Sequence, residues 1–110
     1  MAVASESQGT QTAVITTEHS LATPTSAGVR VFVVDTVNMA AGDALELRIK
    51  AKVLTAGTIR VCYFAKFFEA QHADNYIQMS VPIACPFGVT FTLKQTAGTG
   101  RNFDWAVYTL

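Results

Sequence analysis

The chain has 110 residues with eight basic and eight acidic side chains, and half of it is hydrophobic. That is the length of one domain with enough apolar material for a core, and zero net charge removes the strong basic footprint of a dedicated nucleic-acid binder. Two cysteines are too few for a disulfide scaffold. Low charge with abundant aromatic and β-branched residues excludes disorder throughout.

Residues 1–26 differ from the rest. They hold Glu6 and Glu18, lack Lys and Arg, and are crowded with Ser, Thr, Ala and Gln. This composition predicts a polar N-terminal arm. One short strand is expected in it at Thr12–Thr17, where Val14 and Thr16 alternate with Ala13, Ile15 and Thr17. The start has neither the basic segment nor the apolar stretch of a secretory signal, and no run approaches the ~20 apolar residues of a membrane helix. The expectation is a product made in a cytoplasm, with no membrane partner.

Residues 27–110 read as a β domain. Val29, Val31 and Val33 alternate with Arg30, Phe32 and Val34, an apolar-rich strand of the kind buried on both faces. Asn38–Asp43 is a turn segment containing Gly42. Leu45, Leu47, Ile49, Ala51 and Val53 then share one parity, with Glu46, Arg48, Lys50 and Lys52 on the other. A helix would scatter this strict alternation around its circumference. Thr55–Thr58 turns the chain, and Ile59–Phe68 returns it with Ile59, Val61, Tyr63, Ala65 and Phe67 toward the core. Bringing the two core faces together requires opposed residue numbers of even sum, hence a loop of three or five residues. The five-residue version sets Glu46 favourably against Lys66 but Lys52 unfavourably against Arg60, which leaves the register open.

Glu69–Asn75 is a helical turn or a loop, and Tyr76–Val81 is a strand ended by Pro82. Val89, Phe91 and Leu93 alternate with Thr90, Thr92 and Lys94. Gly98 and Gly100 mark a hairpin, and Phe103, Trp105 and Val107 form the last strand. Six or seven short strands with glycine turns predict an all-β fold, a β-sandwich or jelly roll, carrying the extended arm.

The residues with chemical potential do not assemble into a motif. Gly98-Thr99-Gly100 has a fragment of phosphate-loop spacing, but its strand–turn–strand setting reads as a turn. His19, His72 and Asp74 are ligand types without a further cluster to complete a site. There is neither a nucleophile elbow nor a recognisable Ser, His and Asp set. Asp35, Asp43, Glu46, Glu69, Asp74 and Asp104 are scattered, and Asp43 beside Gly42 reads as a turn residue. No enzymatic activity, cofactor or metal is expected. Cys62 and Cys85 are expected to be reduced and largely buried, and spacing does not say whether they pair.

Arg48, Lys50 and Lys52, with Arg60 and Lys66 across the hairpin, form a modest basic stripe beside Phe64 and Phe68. A single-stranded nucleic-acid groove uses such a mixture, but zero net charge and Glu46 argue against one. Large apolar groups on an outer face instead mark a second packed sheet or a subunit interface. The candidate interface residues are therefore Phe64 and Phe68, with Val14, Ile15, Thr16 and Thr17 in the arm.

The segment Ala40-Ala41-Gly42-Asp43-Ala44-Leu45-Glu46-Leu47-Arg48-Ile49, with Thr92-Leu93-Lys94-Gln95-Thr96-Ala97-Gly98-Thr99-Gly100-Arg101-Asn102-Phe103-Asp104-Trp105, resembles small β-rich proteins of tailed bacteriophages. The resemblance leaves the arm uncovered and carries over no functional residue, because its motifs specify turns and strands. It implies a virion structural protein on the capsid surface, of the decoration or cement type. The implied partners are the major capsid protein or other virion subunits, and the implied state is a homo-oligomer, trimers being common in the group. The arm would then clamp neighbouring chains. The alternatives are a carbohydrate- or host-binding module using Tyr63, Tyr76, Trp105 and Tyr108, and a connector or tail subunit.

Overall fold

The computed structural model describes residues 3–110, and nine strands among them form two antiparallel sheets. The first sheet holds, in spatial order, β1 (Ala4–Thr12), β9 (Asn102–Thr109), β3 (Gly28–Asp35) and β6 (Ile77–Met79). Strand β7 (Ile83–Cys85) pairs with β3 beyond β6. The second sheet runs β2 (Glu18–Ala22), β8 (Val89–Ala97), β4 (Ala44–Ala51) and β5 (Arg60–Phe68). Only the β4–β5 and β6–β7 connections stay within one sheet. All others cross the sandwich, which is the wrapped path of a jelly roll.

The core lies where the inward parities of the two sheets meet. Phe32 and Val34 on β3 and Phe103 and Val107 on β9 face Leu45, Leu47 and Ile49 on β4 and Phe91 and Leu93 on β8, all buried. The Phe32 and Phe91 rings touch across the two layers with centroids 5.4 Å apart in a tilted arrangement, the geometry that the ring quadrupole favours.

Residues 4–22 correct the expectation of an arm, for they supply one strand to each sheet. Strand β1 pairs with β9 from Ala4↔Thr109 to Thr12↔Asn102, and β2 pairs with β8. Ser7, Gly9 and Gln11 lie opposite Val107, Trp105 and Phe103. Gly9 lies against the Trp105 indole, where an added Cβ would make an ordinary contact at 3.5 Å. An edge strand of this kind contributes main-chain hydrogen bonds rather than apolar mass, and hydropathy does not register it. A polar edge also resists pairing with other chains. The strand expected at Thr12–Thr17 is instead mostly the β1–β2 connection, where Thr16 takes a left-handed φ of 68°.

A second correction concerns Gly98 and Gly100. Strands β8 and β9 belong to different sheets, so this turn is an arch over the end of the sandwich and not a hairpin. Alternating flanks and a glycine turn look the same in sequence whether the strands pair side by side or face each other across a core.

The β4–β5 hairpin keeps the even-sum register from Ala44↔Phe68 to Ile49↔Tyr63, including Glu46↔Lys66. It then shifts, so that Lys50 opposes Val61 and Ala51 opposes Arg60. The extra residue, Cys62, forms a bulge and donates its thiol to the Ile49 carbonyl at 3.3 Å. The shift removes the opposition of Lys52 to Arg60. It also ends the core parity early: Val53 is 89% exposed, and Ile59 and Val61 are exposed too. Cys62 is exposed, contrary to expectation, while Cys85 is buried; both are free thiols.

Strand β6 is shorter than the expected Tyr76–Val81. Ser80 interrupts it, its Oγ accepting the Phe32 N–H at 2.9 Å, and pairing resumes at β7 after Pro82.

Candidate interaction surfaces

The charged residues divide into two enclosed networks and two displayed faces. At the arch end Asp43 is 1% exposed. Its Oδ2 accepts from the Ala40 N–H and the Arg101 guanidinium, both at 2.9 Å, and its Oδ1 accepts the Thr99 N–H at 3.3 Å. Its main-chain carbonyl accepts the Glu69 N–H from the segment after β5. Buried Gln95 donates to the carbonyls of Ala97 and Thr99 and accepts the Arg101 N–H. The same group of loops takes hydrogen bonds from the β1–β2 connection, Ala13 N–H to Arg101 and Thr16 N–H to Gln95. Gly98, at φ 89°, is required here because a Cβ would lie 1.9 Å from Asp43 Oδ1. Burial by itself would raise the Asp43 pKa, but Arg101 and the Ala40 and Thr99 N–H groups outweigh it and hold the carboxyl below its ordinary value. The glycines and acid picked out in sequence thus join four loops.

Arg30 forms the second network. It lies on the inward parity of β3, buried, and grips Glu6 through two contacts of 2.6 and 2.9 Å. Its guanidinium also donates to the Ser26 carbonyl and hydroxyl. Sequence reasoning missed it because a strand read as buried on both faces does not reveal which distant acid meets the charge at Arg30. Glu6, held by that guanidinium, has a lowered pKa.

The outer face of the second sheet carries the basic stripe. Glu46 on β4 accepts from Arg48 at 2.8 Å and Lys66 at 3.3 Å, and Glu18 on β2 meets Lys50 at 2.9 Å and the Thr92 hydroxyl at 2.6 Å. Arg48 lies over the Phe64 ring at 4.8 Å and Lys66 over Phe68 at 5.1 Å. These rings are 49% and 58% exposed, so neither the core nor the other sheet covers them. Lys52 falls beyond β4 and Arg60 opposes Ala51, which leaves the stripe shorter than its sequence suggested.

The outer face of the first sheet is different. A shallow groove of about 410 Å³ runs across it, floored by the small side chain of Ala106 and bordered by Val33, Asp35, Ile77, Asp104 and Tyr108. Asp104 accepts the Thr10 hydroxyl at 2.6 Å and Asp35 the Val37 N–H at 3.0 Å, each through one oxygen. Ile77 and Met79 stand exposed beside the groove on β6.

The expected interface residues do not form one patch. Val14, Ile15, Thr16 and Thr17 lie in the connection leading to β2, at one edge of the second sheet. Phe64 and Phe68 lie on β5 at the other edge, with β8 and β4 between. The aromatic set proposed for sugars is also divided. Tyr63 and Trp105 pack against the core, Tyr108 borders the groove, and Tyr76 lines a separate depression beside Asp74. His19 is structural: Nε2 accepts the Val14 N–H at 3.1 Å. His72 accepts the Asp74 N–H at the start of a 3-10 turn, Ala73–Asn75. Among the described residues no three His, Cys, Asp or Glu side chains are grouped to hold a metal, and no helix is long and apolar enough to cross a membrane.

Comparison with family models, with curated proteins and with solved structures finds no match to the chain.

Proposed function

We propose that the protein is a non-enzymatic structural component that works by docking onto other subunits. Following the resemblance of its 40–49 and 92–105 segments, the reading is a capsid decoration protein of a tailed-phage virion, seated on the major capsid protein. The observation that carries docking is the display of large apolar side chains on both outer faces of a closed sandwich, Phe64 and Phe68 on one and Ile77 and Met79 on the other. A cement protein acts through binding free energy, since each bound copy disfavours separation of the subunits it bridges. With residues 4–22 woven into the sandwich, contact with neighbours falls to these faces and to the exposed β1–β2 connection at Val14, Thr16 and Thr17.

Immunogold labelling of virions that carry this chain tests the reading. Label spread over the head, together with heads that lose their contents at lower temperature once the protein is stripped, is the expected result. Label confined to the tail overturns it in favour of a connector, tail or host-binding subunit, and unlabelled particles remove the virion reading altogether.

A further inference from the structure

The two outer faces are complementary to each other. On the second sheet the outward parity carries Arg48, Lys50, Lys66 and Lys94 against Glu18 and Glu46, an excess of two cations. On the first sheet the outward parity carries Asp35 and Asp104 and, among the described residues, no cation. The zero net charge of the chain therefore hides a dipole directed through the sandwich. The shapes match as well. The basic face projects Phe64 and Phe68 with a cation over each ring, whereas the acidic face is hollowed over Ala106 between two carboxylates and exposed Ile77.

We infer that the occupant of the first sheet's groove is a second copy of this chain, docked through Phe64, Phe68 and the cations above them on its second sheet. Stacking like faces would set Arg48, Lys50, Lys66 and Lys94 against themselves, which costs free energy, while unlike faces place them on Asp35 and Asp104. Principal extents of 41 × 31 × 19 Å give each broad side more area than the ~800 Å² per partner of a standard interface. The contact is heterologous, so a pair of copies still displays one face of each kind, and association continues beyond the dimer unless it closes into a ring. This inference stands on the two faces alone and does not depend on the virion reading.

Analytical ultracentrifugation of the full chain tests it, using Phe64→Glu to block the basic face and Ile77→Lys to block the acidic one. At about 0.05 M salt the unaltered chain is expected to form species larger than a dimer, and at about 1 M salt the association constant is expected to fall about tenfold or more. Each variant alone is expected to be a monomer, and an equimolar mixture to form a one-to-one pair, because each supplies the face the other lacks. Phe68→Glu and Met79→Lys serve in their place should circular dichroism show either variant unfolded. A chain that stays monomeric at low salt, a mixture that fails to pair, or self-association that survives one of the substitutions overturns the inference.

Discussion

Asp43 with Arg101 at the arch end and Glu46 with Arg48 on the outer face are the same kind of ion pair at nearly the same distance, 2.9 and 2.8 Å. Their roles differ. Asp43 is enclosed beneath Gly98 and accepts from two main-chain N–H groups, of Ala40 and Thr99, which the fold holds in place. Glu46 meets only side chains, and Arg48 and Lys66 can swing away to exchange it for water or for another protein's carboxylate. Distance alone does not tell a structural ion pair from one available for contact. Enclosure of the acid, and whether its donors belong to the main chain, does.

The largest way to break the arch is Gly98→Ala. A methyl group 1.9 Å from Asp43 Oδ1, on a backbone of φ 89°, should cost about 3 kcal/mol or more in urea denaturation. Unchanged stability would show that the loops yield freely and that the network is not a lock. Asp43→Ala should cost about 2–4 kcal/mol, because the Ala40 and Thr99 N–H groups lose their acceptor.

Acid titration sharpens the contrast next. Asp43, Glu6, Glu18 and Glu46 all have lowered folded-state pKa values and so contribute stability above their ordinary values. The Glu46 carboxyl is the instructive member: burial alone would raise its pKa, and Arg48 and Lys66 together outweigh that. For depressed carboxylates the stabilisation is complete above the unfolded value and is lost as pH falls through the folded one. Melting temperature should therefore hold steady near neutrality and drop progressively below pH 4.5, the ordinary glutamate value, with the aspartate joining below 3.8. In Asp43→Asn the acid limb of that curve should be shallower, and a limb of unchanged slope would remove Asp43 from the account.

The smallest effect is expected on the outer face. Glu46→Gln should change stability by about 0.5 kcal/mol or less at neutral pH, since partly exposed pairs contribute little. A loss comparable to that of Asp43→Ala would erase the distinction between the two networks.

Much of the sandwich was legible because its central strands carry their own burial pattern. Leu45, Leu47 and Ile49 with Phe91 and Leu93 alternate cleanly, and all are buried as the period requires. What was not legible involves groups whose role depends on a distant segment. Strand β1 has no apolar period because its partners on β9 supply the hydrophobic surface. Arg30 is buried only because Glu6 and Ser26 converge on it from elsewhere in the chain. The bulge at Cys62 arises from how the hairpin is paired and has no local signature in Arg60–Tyr63. Of the surface residues, Phe64 and Phe68 were identifiable because parity places them opposite the core-facing Tyr63 and Phe67. The groove over Ala106 was not, since it exists only once β1, β9, β3 and β6 lie side by side.

The pairing of Ala4 with Thr109 has a consequence for the order of folding. Strand β9 is central to the first sheet, bonded to β1 on one side and β3 on the other. Neither can pair with it until residues 102–109 have been synthesised, and before then the β4–β5 hairpin is the pairing nearest in sequence that is open to the growing chain. Closing loops this long before their contacts form places the refolding time in the range of about milliseconds to seconds, typical of all-β domains. A ribosome-bound chain stopped before residue 102 should remain protease-sensitive from its first strand onward. Emergence of the eight residues of β9 should then protect both ends of the first sheet in a single step.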